Sequence, residues 1–104
     1  MDPSELSPRR LRENEELMES LNRRLEEVVE QIREEDDRDP DAPIAFFCEC
    51  SDLACRERVH LAPGRFQEIH RDSELFVLVP GHEILKVERV VDQEADFLIV
   101  RKLV

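Results

Sequence analysis

The chain has 104 residues, a net charge of −11 and 40% hydrophobic residues, enough for one modest folded domain and an appendage. Residues 1–43 carry 15 acidic and 7 basic side chains, and residues 44–104 carry 11 and 8. Neither half has the basic excess that grips a phosphate backbone, so nucleic-acid binding is disfavoured, and no apolar run approaches the roughly 20 residues of a membrane helix.

The start, Met1-Asp2-Pro3-Ser4-Glu5, lacks the basic and apolar regions of a signal peptide, and a cytoplasmic protein is expected. Residues 1–7 read as disordered. Ser7-Pro8 is a helix start, with Ser as N-cap and Pro at the first helical position. No Gly or further Pro interrupts residues 8–35, which are rich in Glu, Arg and Leu. Leu11, Met18, Leu25 and Ile32 recur every seventh residue, and Asn14, Leu21 and Val28 follow the first three at the d position. Leu17 and Val29 flank this seam. The pattern predicts an amphipathic helix that forms a coiled coil with its twin or with a partner protein. The alternative is a helix folded back on its own domain.

Residues 36–43 read as an acidic linker closed by Pro40 and Pro43. Residues 44–104 read as a small α+β domain with a mainly antiparallel sheet and one short helix. Strands are expected at 44–48, 58–61, 75–79, 86–92 and 96–103, with a helix at 63–71 and a tight connection at 93–95. The chain as a whole is therefore expected to be α+β, a long N-terminal helix followed by a small zinc-stapled domain.

The staple is inferred from Cys48-Glu49-Cys50-Ser51-Asp52-Leu53-Ala54-Cys55, a C-x-C-x4-C cluster. An odd count of cysteines excludes a fully paired disulfide framework within one chain. In a reducing compartment clustered thiols read first as metal ligands. Cys48 alone could be a core residue, but Cys50 and Cys55 sit among Glu, Ser, Asp and Arg. Structural zinc takes four ligands, mostly thiolate and imidazole. The fourth is expected at His82, which follows the Pro80-Gly81 turn, with His60 second and His70 third. Glu49, Asp52 and Glu83 are nearby oxygen donors of poorer match to a thiolate-rich zinc site. An iron–sulfur cluster and a redox or disulfide site are the competing readings of the thiols.

The run Phe46-Phe47-Cys48-Glu49-Cys50 through Cys55, then Phe76 to Glu83 around Pro80-Gly81-His82, then Val87-Glu88-Arg89-Val90-Val91, resembles a group of small bacterial proteins of unknown function with an N-terminal helix. The resemblance implies Cys48, Cys50, Cys55 and His82 as recurring metal positions and implies no activity. No phosphate loop, G-x-S-x-G, H-E-x-x-H or C-x-x-C is present, so no enzyme is expected. The expected function is a non-catalytic zinc-binding interaction module that self-associates, or binds a protein partner, through residues 8–35. A transcription-linked regulator and a thiol or metal redox sensor are the alternatives.

Overall fold

The computed structural model describes residues 5–103. The expected disorder at 1–7 falls, for residues 1–4, outside the described residues. Helix α1 spans Pro8–Glu35. The Ser7 side chain accepts a hydrogen bond from the Arg10 N–H at 3.2 Å, which satisfies one donor of the first turn. The helix ends with Asp37 in the left-handed region at φ 53°. There the Arg38 N–H reaches back to the Arg33 carbonyl at 2.8 Å. The Arg33 guanidinium, in turn, donates to the carbonyls of Ala42 and Pro43, which folds the acidic segment back against the helix end.

Strands β1 (Ile44–Phe47) and β2 (Arg58–Leu61) form an antiparallel hairpin in the register Ile44↔Leu61 to Phe47↔Arg58. The cysteine loop is the tip of this hairpin. Helix α2 (Pro63–Ile69) follows, then β3 (Leu75–Leu78), β4 (Glu88–Glu94) and β5 (Phe97–Lys102) in an antiparallel sheet of order β3-β5-β4. The described residues are thus α+β, with one long helix, one short helix and two small antiparallel sheets.

Alternation along β3 and β5 divides the core in two. Val77, Phe97 and Ile99 face Ile44, Phe46, Val59, Leu61, Phe66 and Ile69. Phe76, Leu78, Leu98 and Val100 face Cys48 and Cys50. Phe46 stacks on Phe66 with ring centroids 4.2 Å apart.

The last hairpin differs from its expected form. Strand β4 runs on to Glu94, because Ala95 adopts φ 30° and the Glu94↔Phe97 pair closes a two-residue turn. A bulge at Val91 shifts the register between Val90 and Asp92. Because β4 is an edge strand, Val90 and Val91 remain exposed.

Helix α1 lies on its own chain, and its heptads follow the docked face only as far as Met18. Leu11, Asn14, Glu15, Met18, Asn22 and Glu26 are buried, and Leu25 and Val29 pack against the core at its margin. Residues 11, 15, 18, 22, 26 and 29 follow a spacing near that of a straight helix, about 3.6 residues per turn. A strict seven-residue repeat drifts about 20° per heptad around such a helix. Leu11 is accordingly fully buried, Met18 nearly so, Leu25 marginal and Ile32 48% exposed.

Candidate metal centre

The site is assembled by two turns on neighbouring elements. The Cys48 N–H donates to the Glu57 carbonyl at 3.1 Å, so the β1–β2 ladder runs on to the first thiol. Beyond it, the Asp52 side chain accepts from the Ala54 N–H and its carbonyl from the Cys55 N–H at 3.0 Å. This turn swings Cys55 back toward Cys48 and Cys50. Across the site, Val79-Pro80-Gly81-His82 is a β-turn with His82 N–H bonded to the Val79 carbonyl at 3.0 Å. Pro stands at its second position and Gly81, at φ 96°, at its third, a conformation that favours glycine.

The result brings the four expected residues together. One donor atom from each of Cys48, Cys50, Cys55 and His82 lies within 4.8 Å of the others. Cys48 Sγ and Cys55 Sγ are each 3.6 Å from His82 Nδ1. A tetrahedral ion with metal–sulfur bonds of about 2.3 Å and a metal–nitrogen bond of about 2.0 Å separates sulfur from nitrogen by about 3.5 Å. The Cys48 and Cys55 sulfurs therefore stand near coordination spacing from His82 Nδ1.

The surroundings suit a metal. His82 Nε2 lies 2.6 Å from Glu57 Oε2, so a carboxylate holds the ring and leaves Nδ1 turned to the sulfurs. The Val79 N–H donates to Cys48 Sγ at 3.2 Å. Contact with the Cys48 sulfur, then burial, pushes the Cys50 thiol far above its ordinary pKa. Burial likewise raises that of Cys55. Three thiolates this close repel one another, and a cation among them removes the penalty. The four residues are close enough to bind a metal ion.

The other expected donors lie elsewhere. His60 is exposed and paired with Asp96 at 2.9 Å. His70 is buried against Phe66 and Phe76, with Nε2 2.9 Å from Glu49. Glu83 accepts from the Gly81 N–H, and Asp52 shapes the loop. Glu49 is completely buried and turned away from the thiols. Its side chain accepts from the Val77 N–H at 3.0 Å and from Asn22 at 3.0 Å.

That last contact exposes a layer the motif alone did not reveal. Cys48 and Cys50 face the centre, while the alternate residues Phe47, Glu49 and Ser51 meet α1. Asn22 binds the Phe47 backbone and Glu49, Asn14 donates to the Ser51 carbonyl, and the Ser51 hydroxyl donates to Glu15. The clue in the sequence was positional: Asn22 and Glu15 share a helix face with Leu11 and Met18. Glu57 carried no such signal. Among the described residues no helix is long and apolar enough to cross a membrane. Comparison with family models, with curated proteins and with solved structures finds no match.

Proposed function

We propose that this protein is a non-catalytic interaction module whose small α+β domain is stapled by one structural zinc ion held by Cys48, Cys50, Cys55 and His82. The observation that carries this reading is the closed donor set: three sulfurs and one imidazole nitrogen lie within 4.8 Å of one another, two of the sulfurs 3.6 Å from His82 Nδ1. Catalytic zinc keeps a position open for water or substrate, whereas structural zinc takes four protein ligands. A thiolate-rich donor set selects zinc over hard cations. The C-x-C-x4-C spacing with a distant histidine lacks the paired knuckles of common zinc ribbons, so the staple here joins the β1–β2 tip to the end of β3.

The contact element is α1, whose outer face keeps exposed apolar side chains after the inner face has docked. Helices of this kind bury such a stripe against another helix. Native mass spectrometry with elemental analysis of the purified full chain tests both parts. One zinc per chain is expected. Iron with sulfide would establish the cluster alternative, and a folded, reduced, metal-free protein would overturn the staple.

A further inference from the structure

Leu17, Leu21, Val28 and Ile32 are between 40% and 48% exposed. At about 100° per residue they fall within an arc of about 60°, beside the docked face of α1. They form one stripe about 23 Å long. Their spacing along the chain is palindromic: Leu17 to Leu21 repeats, after the longer gap, as Val28 to Ile32.

A palindrome is self-complementary under a two-fold axis across the helix. With the axis near residues 24 and 25, Leu17 of one copy stands opposite Ile32 of the other, and Leu21 opposite Val28. Such an interface is isologous, as closed dimers require. Charge then selects direction. The start of α1 carries Arg9 and Arg10, which share Glu13 as their local partner. Its end carries Glu34 and Glu35, with Asp36, Asp37 and Asp39 just beyond, an acidic excess over Arg33 of the last turn and Arg38, which pairs with Asp36 at 3.7 Å. A parallel pair would set like against like at both ends. An antiparallel pair sets Arg10 within about one turn of the partner's acidic end and opposes the helix dipoles favourably. Arg24, nearest the axis, is already balanced by Glu27 at 3.2 Å.

We propose that α1 pairs antiparallel with α1 of a second copy of this chain through Leu17, Leu21, Val28 and Ile32. This rests on reading α1 as the contact element and adds its partner and direction.

A photoreactive phenylalanine placed at Leu17 in the full chain tests it, with solution mass measured on the unlabelled protein at physiological ionic strength. A dimer with crosslinks to residues 28–35 of the other copy is expected. Crosslinks to residues 13–21 would overturn the antiparallel arrangement and leave self-association standing. A monomer at all concentrations up to the millimolar range would overturn both. Leu21→Glu with Val28→Glu is expected to raise the dimer dissociation constant at least about 100-fold while helix content stays unchanged. Arg10→Glu is expected to weaken the dimer, and adding Glu35→Arg to restore it. A parallel pair would show no such rescue.

Discussion

The side chain of Asn22 pairs with both backbone groups of Phe47, accepting from its N–H at 2.8 Å and donating to its carbonyl at 2.9 Å. A carboxamide presents the same donor and acceptor as a peptide group, so the helix acts here as a neighbouring strand for the edge of β1. The same amide nitrogen reaches Glu49 at 3.0 Å. Helix docking and the shape of the cysteine loop are therefore one structure.

Replacing Asn22 tests that joint. Asn22→Leu leaves the Phe47 N–H and carbonyl and one Glu49 oxygen without their partner in a buried setting. Unsatisfied buried groups cost about 1–3 kcal/mol each, with partial relief by water. A loss of about 2–4 kcal/mol in urea unfolding is expected. A change below about 0.5 kcal/mol would show that the contact contributes nothing to stability.

Removing the metal should be felt in α1. If zinc holds Cys48 and Cys50, it also holds the intervening Glu49 and the adjacent Phe47 and Ser51, which carry the polar contacts to the helix. Chelation is expected to speed amide exchange both in residues 44–61 and in the helix around Asn14 and Asn22. Faster exchange confined to residues 48–57 would separate the two elements.

Metal affinity should climb with pH. The raised pKa values of Cys50 and Cys55 mean that these thiols carry protons in the metal-free protein at neutral pH. Each proton must leave before a thiolate binds. The apparent affinity is expected to rise up to about tenfold per pH unit for each proton displaced between about pH 6 and 8, by competition with a zinc chelator. Glu57→Gln should lower affinity by about tenfold, since the carboxylate holding His82 is partly solvent-exposed. An affinity independent of pH would place the bound metal elsewhere.

The buried trio of Glu15, Lys102 and Glu88 sets a second pH dependence. Lys102 from β5 lies between Glu15 of α1 and Glu88 of β4, and Ser51 of the loop donates to Glu15. Burial, reinforced by Glu88 and opposed by Lys102, lifts the Glu15 carboxyl to about 8. A carboxyl raised above its unfolded value holds its proton more tightly when folded. Its contribution is therefore complete below about pH 4.5 and is lost as pH rises toward 8. Glu15→Gln is expected to flatten the fall in stability across this window. Lys102→Met removes the cation that lies between the buried carboxyl groups of Glu15 and Glu88 and is expected to destabilise by about 3–5 kcal/mol. Equal pH profiles for Glu15→Gln and the parent would refute the assignment.

Local chemistry made much of the molecule legible in the chain itself. Ser7 and Pro8 start α1 where their backbone preferences require, and the absence of Gly and further Pro carries it to Glu35. The Pro80-Gly81 turn directs His82, since proline sets one backbone angle and glycine permits the positive one at the next position. The clustering of Cys48, Cys50 and Cys55 by a short loop is likewise a local matter. Contacts between distant segments decided the rest. A heptad count seats the apolar residues and Asn14, and so it passes over Glu15 and Asn22, which are buried partners of the cysteine loop, and Glu26, which accepts from Gln67 of α2. The docked face follows the natural turn of the helix, while the sevens rotate out of it and leave Leu21, Val28 and Ile32, with the flanking Leu17, on the outside. Only the packed arrangement of strand, loop and helix determines which of two apolar stripes on one helix the domain takes and which it leaves open.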